Sequence, residues 1–392
     1  MAFRKVVVGI SGGVDSAVSA LLLKKKGFDV CGVFMKNWDE IDENGQCMGE
    51  RDWSDAQYVC EKLQIPITQV NFVKDYWNDT QLTLIVFRKF LEDYKSGQTP
   101  NPDILCNRHI KFDHFYNYAK SHLKADAIAT GHYAQTSFGE FLEKYQPNKD
   151  VRLLQAVDDF KDQTFFLSGI NQRALRHTMF PLGRLLKRQV KEIATKAGLN
   201  RIVVKKESTG ICFIGERNFK NFISEYLESK PGNFIDIDTG EVVGHHDGIH
   251  QWTLGQRCRI SGCLKPYFIA RKDVNSNEIL VAAGTDHPAL FTNILITQNP
   301  SWIRRAPVKE GESFRCEFRF QHTKPLVQCT VKVNLTGLRI ELDENLRAIT
   351  PGQYAVFYLA KECLGCARIS SAEDCKFSNS ENFQKESILK TS

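Results

Sequence analysis

The stretch Gly9-Ile10-Ser11-Gly12-Gly13-Val14-Asp15-Ser16 constrains this chain more than any other, because of what stands on either side of it. Val6-Val7-Val8 reads as a buried strand, and Ala17-Val18-Ser19-Ala20-Leu21-Leu22-Leu23 reads as a helix. A strand, a Ser/Gly turn and a helix in that order make a cradle for polyphosphate. Gly12 and Gly13 let the backbone approach an anion closely, and the helix N-terminus directs unpaired N–H groups at it. Ser11 and Ser16 add hydroxyl donors, and Asp15 can hold a divalent cation such as Mg2+ against the phosphates. No lysine follows the glycines, so this is not the phosphate loop that ends in Gly-Lys-Ser/Thr.

The first two hundred residues go on alternating strands and helices. Val6–Ile10 and Val30–Met35 are predicted strands, with the helix Ala17–Lys26 between them. A helix over Asp52–Leu63 leads through Pro66 into a strand at Ile67–Val70, and Ala125–Thr130 is a further strand ending at Gly131-His132-Tyr133. This repetition predicts an α/β fold with a doubly wound parallel sheet. Its site lies at the carboxyl edge of the strands, where the glycine loop and Gly131-His132 both open. Lys187–Gly198 is predicted as a basic helix stopped by Gly198. After Pro231 short β segments take over, at Phe234–Ile237, Ile279–Val281, Cys316–Phe320, Thr330–Val333, Arg339–Leu342 and Ala355–Leu359. The later ones predict a small antiparallel barrel. The polar stretch beyond Ser370 is expected to be disordered.

A chain of 392 residues exceeds one ordinary core, so two or three domains are expected. With 42% hydrophobic and 25% charged residues it has a globular composition, and no apolar run nears the ~20 residues of a membrane span. No membrane partner is expected. The first strand starts near residue 5, which leaves no room for a secretory signal within this numbering. The net charge of +6 is mild, but Lys187, Arg188, Lys191, Lys196, Arg201, Lys205 and Lys206 crowd together, and Arg304-Arg305 make a second cluster. Charge alone leaves an RNA footprint and an ordinary solvated surface equally open.

The 12 cysteines lack the spacing of a disulfide framework, so reduced thiols are expected. Cys363-Leu-Gly-Cys366 has no second pair at zinc-finger distance. Two other cysteines stand apart. In Asn101-Pro102-Asp103-Ile104-Leu105-Cys106-Asn107 two prolines (with Pro100) stiffen the loop, and one helical turn would put Asp103 and Cys106 on one face. Cys212 sits in the Gly-bounded loop Ser208–Gly215, where Lys205 and Lys206 are close enough in sequence to favour its thiolate. Taken singly, each reads more readily as a buried, inert cysteine. Taken together with a nucleotide loop, two cysteines could pass a sulfur atom and close a disulfide on its release.

The glycine loop resembles that of the ATP pyrophosphatases, and further segments narrow the resemblance. Phe34-Met35-Lys36-Asn37-Trp38, Asn101–Asn107, Ala129–Tyr133, Lys161-Asp162-Gln163, Gly210–Gly215 and Thr253–Arg257 follow in order. Together they are similar to the tRNA-specific 2-thiouridylase family, from about residue 4 to residue 370. The resemblance implies an ATP-pyrophosphatase domain (1–206), a central tRNA-binding domain (207–285), a C-terminal β-barrel (286–370) and a disordered tail (371–392). It implies ATP as the adenylating substrate, Mg2+, a tRNA with a wobble uridine, and a persulfide-carrying donor protein. Gly9 to Ser16, Met35 and Gly131 would bind ATP. Cys212 would receive the persulfide, Cys106 would be its partner nucleophile, and Asp103 the general acid/base. Asn101, Pro102 and Asp103 would contact the target base. His132, Lys161, Asp162, Gln163 and Gln353 would contact tRNA, with Gln321 and His322 weaker because that barrel strand diverges. The stretch Thr80–Arg88 looks longer than the family's usual segment, and the polar tail is extra. The composition around Phe160–Ser168 leans to the mitochondrial branch, the alternative being the bacterial cytoplasm.

Two other functions fit parts of the pattern. An amidotransferase-type ligase shares the nucleotide loop but has no need of paired cysteines. A nucleotide-gated RNA-binding protein without catalysis has no use for Asp103, Cys106 and Cys212 together.

Overall fold

The computed structural model describes residues 3–36, 48–72, 83–205, 218–262 and 265–373. The Cys212 loop, Asn37-Trp38, the opening of the Thr80–Arg88 stretch and the tail from 374 onward lie outside the described residues.

The apolar runs of the first part become a parallel sheet. Strands β1 (Lys5–Gly9), β2 (Asp29–Lys36), β3 (Ile67–Asn71) and β4 (Ala127–Ala129) are joined by Thr178–Met179 in the order β3, β2, β1, β4, Thr178–Met179. Val6, Val7 and Val8 are fully buried, as expected of a strand covered on both faces. Helix α1 (Val14–Lys25) packs on this sheet, and α2 (Met48–Leu63) lies beside α1. The strand order turns back between β1 and β4, which opens a crevice at their carboxyl ends. The basic helix runs Lys187–Lys196, and Gly198 ends it in the left-handed region at φ +72°.

Gly232–Asp236, Val242–His246, Arg257–Cys258, Tyr267–Asp273 and Glu278–Ala283 form a second five-stranded sheet. The C-terminal part is a closed six-stranded barrel. Phe291–Thr297, Gly337–Arg347, Val327–Asn334, Ser313–Arg319, Tyr354–Leu359 and Glu362–Glu373 pair in turn, and the last returns to the first. Cys316, Phe318, Cys329, Val331, Ile340 and Phe357 fill the inside. The sequence pattern passed over the short strands and also Val242–His246, Tyr267–Asp273, Phe291–Thr297 and Glu362–Glu373. Glu362 and Cys363 pair with Leu154 and Leu153, so backbone hydrogen bonds continue the barrel into the first domain. Cys363 and Cys366 belong to the first domain's core, and burial pushes the Cys366 thiol up to about 11. They are packing residues of the domain junction.

A buried ion pair fastens the same junction. The Asp162 carboxylate, 1% exposed, accepts from Arg319 Nη2 at 2.8 Å, from Thr164 Oγ1 at 2.7 Å and from Ala156 N at 3.0 Å. Arg319 also donates to the Tyr358 hydroxyl at 3.1 Å. Removing one member strands the other charge away from water. Arg319→Met is therefore expected to lower unfolding stability by about 3–5 kcal/mol, and adding Asp162→Leu to recover much of that loss. Denaturant midpoints of the single and double variants check this.

Candidate active site

The glycine loop is built to keep its backbone exposed to a ligand. Gly13 stands at the N-cap of α1 and offers no capping side chain, so the first N–H groups of the helix are not closed off by one. Gly12 has φ +73°, and a Cβ there would sit 2.5 Å from the Asp52 carbonyl oxygen of α2. Gly131, at the end of β4, lies so close to the start of α1 that a Cβ would come within 2.6 Å of Ser16 N. Both glycines are thus demanded by contact, and Gly12 by conformation as well. Ser16, expected as a phosphate donor, is buried. Its hydroxyl donates to Gly13 O at 3.1 Å and accepts from Ser11 N at 3.1 Å, which holds the loop's shape. Met35 places its Cε 3.2 Å from where a Gly9 Cβ would be, beside the loop's entry strand.

Asp15 is the centre of a closed ring of polar contacts. Lys187 Nζ lies 2.8 Å from both carboxylate oxygens and is 13% exposed, and the Tyr133 hydroxyl donates to Asp15 Oδ1 at 2.9 Å. Tyr133 exchanges two bonds with Gln163: its N–H donates to Gln163 Oε1 at 2.9 Å, and its carbonyl accepts from Gln163 N at 2.8 Å. Asp158, five residues before Gln163, closes the ring by accepting from Lys187 N at 2.8 Å. Lys187 was expected on an RNA-facing surface, yet its ammonium belongs to the glycine loop. Arg188 and Lys196 on the same helix remain exposed.

The other expected residues are placed differently from one another. Lys161 and Gln163 are partly exposed on the ring's loop. Asp162 between them turns inward, and its oxygens are taken up by the pair with Arg319, so any part it has in RNA binding runs through the loop's shape. His132 is buried between Phe112 and Phe180, with Nδ1 2.8 Å from Thr130 Oγ1, and burial pushes its pKa well down, so the ring is neutral. His322 lies over the Phe166 ring and directs Nε2 at the Asp162 carbonyl, whereas Gln321 is exposed. Lys205, expected to favour the Cys212 thiolate, is spoken for. It pairs with Asp52 at 2.6 Å and Asp55 at 2.7 Å. Partial burial works against its charge, but the two carboxylates outweigh that and raise its pKa.

The stretch expected to be a stiff loop is instead a helix start. Pro102 occupies its first position, Pro102–Leu105 is helical, and Cys106–His114 continues it in wide turns with a kink at Phe112. Asp103 and Cys106 stand one turn apart on it. Cys106 is 7% exposed and Asp103 partly exposed. Asn101 Oδ1 is buried with no hydrogen-bond partner among the described residues. Gln353 of the barrel is bonded to Thr99 and Asn101.

Three family models match in succession: a tRNA methyl transferase HUP domain over residues 4–216, a tRNA methyl transferase PRC-barrel domain over 220–283, and an aminomethyltransferase beta-barrel domain over 292–369. Along its whole length the chain is 56% identical over 385 residues to the mitochondrial tRNA-specific 2-thiouridylase 1 of Drosophila melanogaster, covering 97% of each. It is 47% identical to the human protein of that name, over 94% of this chain and 90% of that one. The bacterial tRNA-specific 2-thiouridylase MnmA of Alkaliphilus oremlandii is 46% identical, over 93% and 96%. The chain belongs to the tRNA-specific 2-thiouridylase family. It is a sulfurtransferase of the mitochondrial branch. The models' descriptions name methyl transfer, but the full-length relatives are named for thiolation, and their identity runs through all three domains.

Neither Tyr133, Asp158 nor Arg319 was marked by the sequence as a site residue, and Lys187 was marked for another role. Tyr133 lay in a motif that was noticed. Lys187 and Asp15 are 172 positions apart, a pairing that no local pattern carries. Lys187→Met is expected to lower ATP turnover about 10²-fold or more while tRNA affinity stays within about twofold. Arg188→Glu with Lys191→Glu should instead weaken tRNA binding and flatten its salt dependence. Turnover assays beside filter binding across a salt series separate the two effects.

Proposed function

We propose that the protein converts the wobble uridine of tRNA to 2-thiouridine in two chemical steps at the crevice between β1 and β4. In the first, the uridine 2-oxygen attacks the α-phosphorus of ATP held by Gly9–Ser16, and pyrophosphate leaves. Oxygen on the base is a poor leaving group, and the adenylate makes it a good one. In the second, the terminal sulfur of a persulfide on Cys212 attacks C2, and AMP leaves. The Cys106 thiolate then attacks Cys212 Sγ, which releases the sulfur as 2-thiouridine and leaves a Cys106–Cys212 disulfide for an external thiol to reduce. A persulfide-bearing donor protein reloads Cys212. Asp103 moves the protons, and Asn101, Pro102 and Asp103 hold the base, which must be flipped out of the anticodon loop to reach them.

The observation that carries this reading is the ring around Asp15. It joins the glycine loop to the segment holding Lys161 and Gln163, so one set of contacts links the loop this reading gives to ATP with the segment it gives to RNA. Met35 and Gly131 suit the adenine side by their place next to the loop. Asp15 is 33% exposed in the first turn of α1, a carboxylate of the hard-oxygen type that suits Mg2+. It would hold the ion once Lys187 has moved off it. Bound there, the ion would offset the charge of the leaving pyrophosphate. The assignment of domains 1–206, 207–285 and 286–370 to adenylation, tRNA binding and support goes with this reading.

Asp15→Ala is expected to abolish tRNA-dependent pyrophosphate release and to leave tRNA binding nearly intact. Near wild-type release would remove the glycine loop from the ATP reaction. The cysteines separate by mass spectrometry after exposure to a persulfide donor. Cys212→Ser should carry no sulfane sulfur yet still release pyrophosphate, whereas in Cys106→Ser position 212 should load and thiolated tRNA should not accumulate. Sulfane sulfur found on Cys106 alone would reverse the two roles, and normal thiouridine from both variants would discard cysteine chemistry.

A further inference from the structure

The later domains converge on one short stretch of the first, residues 97–108. Thr99 N donates to Pro351 O at 3.0 Å, and Gln353 Nε2 donates to Thr99 O at 2.9 Å and Pro100 O at 3.4 Å. Gln353 Oε1 accepts from Asn101 Nδ2 at 3.3 Å. Arg368 donates to Gln98 Oε1 at 2.6 Å and pairs with Asp93 at 2.6 Å. Lys272 of the central domain donates to Gly97 O at 3.0 Å. Past Cys106, Arg108 Nη1 donates to the barrel's Ser301 Oγ at 2.8 Å. Gly352 lets the two backbones touch, because its φ is +95° and a Cβ there would lie 3.0 Å from both Thr99 N and Thr99 O.

Packing fixes the two halves of this stretch unequally: Ile104 and Cys106 are buried in the first domain's core, whereas Gly97 and Gln98 border open space. A cavity of about 360 Å³ lies there, with Gly97, Gln98, Ile269, Lys272, Ile349 and Pro351 among its walls. The helix start offers little of its own either. Asn101 stands at the N-cap without a side-chain cap bond, and Pro102 at the first position has no N–H to give. The polar contacts from outside therefore hold residues 97–101, and core packing of Ile104 and Cys106 carries on from there into the helix.

We propose that the Pro351–Gln353 turn of the barrel is a positioning element for the Asp103–Cys106 helix, with Gln353 acting on the reaction through the backbone of Thr99 and Pro100 and the side chain of Asn101. This rests on the reading of Asp103 and Cys106 as the reacting groups. Both amide atoms of Gln353 are engaged by the first domain, so its effect is on rate at saturating tRNA and not on affinity. Misplacing a reacting group by about 1 Å costs on the order of 10²-fold.

The test uses the full chain with Gln353→Ala and, separately, Gly352→Ala, which carries no hydrogen-bonding side chain. Thiouridine formation is measured across tRNA concentration, tRNA Kd by direct binding, and Cys106 alkylation by iodoacetamide in the free protein by peptide mass spectrometry. Both variants are expected to lose about 10- to 100-fold in kcat with Kd within about twofold, and to show altered Cys106 alkylation. Unchanged kcat with a raised Kd would make Gln353 an RNA contact and overturn the proposal. Unchanged Cys106 alkylation in both variants would overturn it as well. Alkylation reads the helix without turnover. Full activity in Cys106→Ser would instead fail the catalytic reading of that thiol, so the two failures are told apart.

Discussion

The contact on which the rest depends is the one between Asp15 and Lys187. It is made by the first turn of α1 and the first residue of the helix Lys187–Lys196, elements from opposite ends of the first domain. Each is placed by something else. Asp15 sits where it does because Gly12 and Gly131 let α2 and β4 press against the loop. Lys187 sits where it does because Asp158 receives its N–H. A lysine ammonium thus stands at the loop, paired with Asp15, although no lysine stands in the loop's own sequence. On the proposed reading, the chain supplies from a distance the cation that a Gly-Lys-Ser/Thr loop carries within itself.

The later domains brace that site from outside. Asp162 and Arg319 are paired out of water, and the backbone of Glu362 and Cys363 runs on into Leu153–Leu154. A buried pair of this kind adds little net stability over an apolar one, since desolvation offsets the Coulomb gain. Its geometry is strict, however, and strictness is what a junction needs when the loop beside it carries Lys161 and Gln163. The same logic applies where Arg368 and Gln353 meet residues 98–101: few contacts, each directional, beside open space that Gln98 borders.

Much of the fold was legible, and for a reason. Val6–Val8, Val30–Met35 and the barrel strands are set by local apolar pattern, and local pattern is what a sequence displays. Among the strands passed over, Gln135–Thr136 and Leu153–Leu154 are two residues each and gain their meaning only from the partner they pair with. The loop around Asn101 read as irregular because two prolines dominate it, yet Pro102 starts a helix, the one helical position where a missing N–H costs nothing. The site divides the same way. Glycines demanded by close approach were visible as glycines. The engagement of Lys205 by Asp52 and Asp55, and of Lys187 by Asp15, was not, because a lysine's partner across 150 or more residues leaves no trace beside it.

His132 and Asp162 show what a motif residue can be for. Both lie in segments that mark the family, and both face inward. His132 is neutral between two phenylalanine rings, and Asp162 is bound on its carboxylate by Arg319 and Thr164. Neither presents a charge to solvent. What each does instead is hold an exposed neighbour. His132 seats the turn between Gly131, which touches the glycine loop, and Tyr133, which touches Asp15; Asp162 anchors the loop from which Lys161 and Gln163 emerge. In a site assembled from loops, a buried polar residue with all its bonds made fixes backbone direction more firmly than an apolar one could, because its bonds fail if the loop shifts. The segments are therefore best understood as units, in which an inward residue sets the geometry of its outward neighbour.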